Sequence, residues 1–276
     1  MKRLFNYSEA DSFVHNLSGV SKLVGFIAMT FTVMLTYDPR VIAVVLVIAV
    51  FVFRASRIRL RDLRAVIIYI SIFMAINFVM TFLFDPQYGV RLYGTKHILY
   101  SFSEHYTLTQ EQLLYQTTKI SKYAATVPFG LLFFLTTHPS EFASSMNRLG
   151  VHYKISFAFS LTLRYLPDIS SEYMMISKAQ QARGLELSKK QKFSKRVKEY
   201  VKMIIPLIMS SLDRIDNISD AMDLRGFAKQ KKRTWYNTRK LSRNDIWVII
   251  FTLAVFAGSL MISVFVNHGR FWNPFA

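Results

Sequence analysis

The chain has 276 residues, 52% of them hydrophobic, and its 35 Lys and Arg face only 17 Asp and Glu, for a formal net charge of +18. That balance argues against an ordinary soluble enzyme and leaves two classes that tolerate a basic excess, nucleic-acid binders and membrane proteins with Lys/Arg-rich cytoplasmic faces. The absence of cysteine excludes disulfides, thiolate catalysis and Cys-ligated metal.

The order of apolar and charged segments separates these two classes. After Lys2, Arg3, Glu9 and Asp11 come two short apolar runs, Leu23 to Tyr37 and Val41 to Phe53. They flank Asp38-Pro39-Arg40 and read as antiparallel helices joined by a tight turn. The early acids, with no small-residue cleavage site after the first run, predict no signal peptide. Ala65 to Phe84 then gives twenty residues without a charge, and roughly 20 apolar residues cross about 30 Å of hydrocarbon as a helix. A fourth run, Tyr123 to Thr137, reaches that length if its helix begins near Gln112. Lys119 and Lys122 then lie in or near the outer interface, where snorkelling of their stems toward headgroups is the favoured reading over a functional intramembrane charge. Ile246 to Asn267, twenty-two residues, is the fifth.

With the N-terminus inside, 29 of the 35 Lys and Arg fall in the inner segments, and Arg40, Arg91, Lys96 and Arg270 in the outer ones. This positive-inside bias orients the chain with a cytoplasmic N-terminus and an external C-terminus. The sequence therefore predicts an all-α integral membrane protein with about five transmembrane helices, multi-pass in the cell membrane. Residues 1–137 hold helices one to four, 138–245 a basic cytoplasmic helical region, and 246–276 the last transmembrane helix with a short external tail. The aromatics concentrate in the spans and are not interleaved with Lys and Arg, so membrane lipids, and not nucleic acid, are the expected surroundings.

The inner region opens with a helix starting at Pro139 and Glu141 and stopping at Arg148-Leu149-Gly150. A second helical stretch runs from Asp168, after Arg164 and Pro167, to Ala182-Arg183-Gly184, and a third from Leu207, after Pro206, to Leu224-Arg225-Gly226. The last two form an internal repeat: Ala179, Arg183 and Gly184 recur as Ala221, Arg225 and Gly226 at an offset of 42. Glycine after the last helical residue accepts the left-handed conformation, and a cation in the last turn complements the helix dipole. Two copies with the same alanine four residues upstream are harder to attribute to capping alone, and they suit a guanidinium fork entering a partner groove lined with carboxylates or carbonyls.

In the third stretch Ile208, Leu212, Ile215 and Met222 share one face, and Asp213, Asp216, Asp220 and Asp223 the neighbouring one. The four acids read as a solvated or salt-bridged edge and not as a metal or general-acid site, because the basic run from Lys189 to Lys202 supplies counter-charge. That run is either an interfacial segment drawn to anionic lipids or a solvated face. No glycine is followed by Lys-Ser or Lys-Thr, and neither HExxH nor GxSxG occurs. His97 and His105 have too few companion ligands for a metal site. No cofactor and no resident metal are expected. The alternative function is a membrane-embedded enzyme acting on lipid or isoprenoid substrates, with basic inner loops holding phosphates. Such enzymes need clustered intramembrane acids, and the spans contain none.

Taken together, Leu163-Arg164-Tyr165-Leu166-Pro167, Glu172, Ala179-Gln180, Ala182-Arg183-Gly184, Ile205-Pro206-Leu207, Ala221-Met222 and Arg225-Gly226-Phe227 resemble the T component of energy-coupling factor transporters, the EcfT/CbiQ family of transmembrane scaffolds. His15-Asn16-Leu17 and Lys22 are similar to that family's N-terminal segment. One departure is Leu224, where the family's usual alanine, kept at Ala182, is replaced. The resemblance implies a non-catalytic adaptor. Its coupling helices dock by their Arg-Gly ends into two cytoplasmic ATP-binding-cassette ATPases, and a membrane S component that binds a vitamin or metal ion packs on the same helices. Arg183 and Arg225 would anchor one ATPase each, Gly184 and Gly226 shape the helix ends, and Ala179 and Ala221 allow close approach.

Overall fold

The computed structural model describes residues 12–59, 63–101, 106–184, 193–227, 229, 234–235, 239–267 and 272–274. Lys2, Arg3, Glu9, Asp11, Arg61, His105, Lys189, Lys190, Lys192 and Arg270 lie outside them. The chain divides into two compact units, Met1–His138 with Arg239–Ala276, and Pro139–Thr238.

In the first unit a short α1 (Phe13–Asn16) precedes α2 (Gly19–Leu35), α3 (Pro39–Ala55), α4 (Arg64–Phe84) and a six-residue α5 (Tyr88–Tyr93). An antiparallel hairpin of β1 (Ile98–Ser101) and β2 (Thr107–Thr109) follows, then α6 (Gln110–Thr136). After the second unit the chain returns as α10 (Arg243–Met261), prolonged by a π-helical stretch, Ile262–Val266. The chain is thus an all-α membrane protein with one small hairpin between α5 and α6 that the sequence did not announce. All five expected apolar helices form. Of these, α4 and the helix Arg243–Val266 are long and apolar enough to cross a membrane by length and composition, while α2 is a shorter apolar helix.

Short polar side chains start these helices. The Ser18 hydroxyl accepts from the Ser21 N–H, and the Thr109 hydroxyl from Gln112. Asp38 caps α3, whose first residue is Pro39, where a missing N–H loses no bond. Ser242 and Asp245 form a reciprocal capping box on α10. In lipid no hydrophobic drive separates helix from solvent, so close packing must hold helices together, and small residues permit it. The buried cluster accordingly joins Met29 and Val33 of α2, Ile42, Val45 and Ala49 of α3, and Ala125 and Phe129 of α6. Phe26 stacks on Phe133 at 5.3 Å beside it.

Polar contacts close both ends of this bundle. Near the start of α2, the buried Lys22 ammonium donates to the carbonyl of Thr136, the last residue of α6, at 2.7 Å, and to that of His15 at 3.2 Å. Near the far end of α2, Lys122 of α6 donates to the Met34 carbonyl at 3.2 Å and lies 3.4 Å from the centre of the Tyr37 ring. Lys119 donates to the Thr81 hydroxyl of α4. The expected snorkelling of Lys119 and Lys122 gives way to these contacts: neighbouring helices offer acceptors within reach, so the stems turn inward. Asp245 joins α10 to α2, accepting from the Ser18 N–H and the Ser21 hydroxyl, each at 2.7 Å.

Replacing Lys22 with Met leaves buried carbonyls without their charged donor. It should cost about 1.5–3 kcal/mol, lowering the thermal unfolding midpoint of the detergent-solubilised chain more than Lys122→Met does, because Lys122 is the less buried of the two. Equal midpoints for both variants and the parent would refute the clasp.

Candidate partner-docking site

The second unit consists of α7 (Pro139–Arg148), α8 (Tyr153–Ala182) and α9 (Phe193–Leu224). Helix α7 keeps the expected bounds. The other two are longer than expected: α8 runs through Pro167 and α9 through Pro206, so neither begins after its proline. A proline inside a helix removes one i→i−4 bond and introduces a local kink, but its fixed φ is helical, and the flanking turns carry the helix across.

Contacts between α8 and α9 run antiparallel. Early in α8, Tyr153 and Phe157 pack against the ring of Phe227, just past the end of α9, with centroids 5.6 and 4.7 Å apart. Further along, Glu172 accepts from the Ser210 hydroxyl and pairs with Arg214 at 2.5 Å. Arg214 also lies 6.0 Å from the centre of the Tyr165 ring. From Phe157 to Arg183 is 26 residues, and a helix rises about 1.5 Å per residue. The Arg225 tip, seated beside Phe157, is therefore roughly 40 Å along the helix pair from the Arg183 tip.

Both tips are capped by backbone geometry. Gly184 and Gly226 have φ of +86° and +65°. The Gly226 N–H donates to the Asp223 carbonyl and the Phe227 N–H to that of Met222, each at 2.9 Å, which is the paired reverse bonding of a Schellman end. At the first tip the Gly184 N–H donates to the Gln181 carbonyl at 3.0 Å. Arg183 and Arg225 occupy the cap position itself, and both are exposed, as are Ala179, Ala182 and Ala221. Arg225 and Ala221 also line a groove of about 540 Å³ between α8 and α9.

The sequence repeat extends further upstream than its motif. Aligned on their glycines, the two ends share Ile176 with Ile218 and Ser177 with Ser219 in addition to the alanine, arginine and glycine. Reading the offset of 42 further upstream would have found these positions. The clasp of Glu172, Ser210 and Arg214 carries no spacing signal, because its members come from different helices. Asp213, Asp216, Asp220 and Asp223 are exposed, and among the described residues they form no ion pair. Of the basic run, only Lys198 and Lys202 have described side chains, and Lys202 pairs with Glu199. The apolar face of α9 is open: Ile208, Leu212 and Ile215 are exposed and Met222 half-buried. Among the described residues no three His, Asp or Glu converge as metal ligands. Between α5 and α6, His97 instead pairs with the buried Glu111.

Residues 10–236 match the family model described as "Cobalt transport protein", CbiQ. The energy-coupling factor transporter transmembrane protein EcfT of Bacillus selenitireducens is 26% identical over 269 residues, 95% of this chain and 96% of that one. EcfT of Streptococcus thermophilus is 26% identical over 257 residues, 90% of this chain and 94% of that one. A putative ABC transporter ATP-binding protein of Bifidobacterium longum is 26% identical over 264 residues, and the match spans 90% of this chain but 32% of that protein's length.

At Gly226 an added Cβ would meet only the flexible stem of Lys229, at 3.3 Å, so the backbone conformation is the main obstacle. Gly226→Ala should cost about 1–2 kcal/mol, and Gly226→Asn less, since asparagine tolerates the left-handed region. Amide hydrogen exchange at Asp223 to Phe227 would report the difference, and identical exchange in the two variants would contradict it.

Proposed function

This chain belongs to the CbiQ family of cobalt transport proteins, and from that premise we propose that Arg183 and Arg225 each dock a cytoplasmic ATPase onto it. The chain is the transmembrane component of an energy-coupling factor transporter. The observation that carries the docking reading is one helix end built twice, at opposite ends of an antiparallel helix pair. Two partners can be held at once by tips roughly 40 Å apart, where a single tip could hold one. Gly184 and Gly226 end the helices in the left-handed conformation, so each arginine stands on the outermost helical turn, and a guanidinium fork suits carboxylates or carbonyls of a partner. Ala179, Ala182 and Ala221 add little bulk beside it. The match to an ATP-binding protein of an ABC transporter supports ATPases as the partners.

The chain itself performs no chemistry. ATP binding and hydrolysis in the docked subunits displace α8 and α9. The exposed Ile208, Leu212 and Ile215 receive a membrane S component that carries a vitamin or metal ion, and the displacement reorients it. Residues 138–245 and the N-terminus lie in the cytoplasm and the C-terminus outside, the orientation supported by the Lys and Arg distribution.

Arg183→Glu combined with Arg225→Glu should abolish co-purification of the ATPases while membrane insertion persists; normal assembly and transport by the double variant would refute docking. For the orientation, the chain's lack of cysteine allows single probes. Lys96→Cys should react with an impermeant thiol reagent added outside intact cells and Lys198→Cys should not; the opposite pattern would invert the topology.

A further inference from the structure

The two docking ends share a frame and differ in what they present. Across Ile176–Gly184 and Ile218–Gly226, nine positions each, the isoleucine, serine, alanine, arginine and glycine are the same. The remaining four positions all differ. Lys178 aligns with Asp220, Gln180 with Met222, Gln181 with Asp223 and Ala182 with Leu224. Lys178, Gln181 and Ala182 at the first end are exposed, as are Asp220, Asp223 and Leu224 at the second. The shared residues include the glycine that ends the helix and its cap arginine, while three of the four differing pairs are exposed side chains.

Leu224 is 90% exposed, the highest value among the large hydrophobic residues described. It is the last residue of α9, immediately before the cap arginine, so it stands beside the guanidinium on the same tip. Among the described residues of its unit, none covers it. At the first tip the same place holds only the methyl group of Ala182. The charges diverge as well: Lys178 and Arg183 give the first end two cations, whereas the second sets Arg225 among Asp220 and Asp223.

We propose that the two ends fit chemically different seats, and that Leu224, with Asp220 and Asp223, determines which seat the second end takes. This rests on the docking reading above. The seat of the first end offers acidic or carbonyl groups to two cations and no socket. That of the second combines an acceptor for Arg225 with an apolar socket for Leu224 and a basic group facing the two aspartates. Burial of a leucine side chain supplies enough discrimination, since it is worth roughly ten- to a hundredfold in affinity.

The test uses the complex purified from native membranes, with single cysteines at Ser177 or Ser219 as cross-linking points in a chain that has no other cysteine. Mass spectrometry of the adducts identifies the ATPase surface at each tip. Ser177→Cys and Ser219→Cys should capture different surfaces. Leu224→Ala should weaken capture at the second tip roughly ten- to a hundredfold and leave the first unchanged. A six-residue exchange, Lys178→Asp, Gln181→Asp and Ala182→Leu with Asp220→Lys, Asp223→Gln and Leu224→Ala, should swap the captured surfaces. All six positions are exposed, so the exchange removes no packing within the unit. Capture of one and the same surface at both tips, unaffected by the exchange, overturns the proposal while docking stands. If neither tip captures an ATPase, docking fails and this proposal with it.

Discussion

The membrane unit depends on a reciprocal contact in which each of two antiparallel helices carries a lysine that closes the other's C-terminal end. Lys22, in the first turn of α2, donates to Thr136 at the end of α6, and Lys122 of α6 donates to Met34 near the end of α2. The last carbonyls of a helix have no partner within it and carry the negative end of its dipole, so an ammonium placed there both satisfies an acceptor and meets favourable charge. In a bilayer the same carbonyls would have no water to fall back on. The pairing also fixes register. Twelve residues separate Lys22 from Met34 and fourteen separate Lys122 from Thr136, nearly equal rises on the two helices, so both contacts close only when the helices are aligned as they are.

The end held by Lys22 is also where the chain passes between its two units, leaving after His138 and returning at Arg239. The outgoing segment is held through Thr136 by Lys22, which reaches the His15 carbonyl as well. On the returning side Arg239 donates to that same carbonyl, and Asp245 accepts from Ser18 and Ser21. Both crossings are therefore tied to one stretch, Ser12 to Lys22. An isolated buried ammonium or carboxylate would be costly to desolvate, and these are tolerated because each has several partners of complementary sign or dipole. An apolar joint would be weaker here, because the surrounding lipid competes equally for apolar contact.

The sequence disclosed what depends on local chemistry. Proline and aspartate at Asp38-Pro39, serine and aspartate at Ser242 and Asp245, and glycine at 150, 184 and 226 mark helix ends in the chain as they do in the fold. Each of the five apolar runs coincides with a helix, and Arg64–Phe84 and Arg243–Val266 are long and apolar enough to cross a membrane. What remained hidden depends on which element lies beside which. Lys119 and Lys122 looked like snorkelling cations because their acceptors, Thr81 and Met34, belong to other helices. Pro167 and Pro206 looked like helix starts because local rules weigh the lost hydrogen bond and do not weigh the packing of α8 against α9 that carries both helices through. The clasp of Glu172 with Ser210 and Arg214 was invisible for the same reason.

A single Arg-Gly end reads first as a cap and only its duplication points to docking, and the third helix end of the second unit separates the two roles. At the close of α7 the Gly150 N–H donates to the Asn147 carbonyl and the Val151 N–H to that of Met146, each at 3.1 Å, with Gly150 at a φ of +103°. This is the bonding seen at Gly226, yet the cap position here is Leu149. The reversal of the chain therefore requires the glycine and places no demand on the residue before it. A dipole contribution from arginine at the cap amounts to about 0.3–1 kcal/mol and is available to any cation in the last turn, Arg148 included. Glycine at 184 and 226 is thus accounted for within the fold. Arginine at 183 and 225 exceeds what the cap requires, and that excess, placed on exposed ends far apart on one helix pair, is what a docked partner would use.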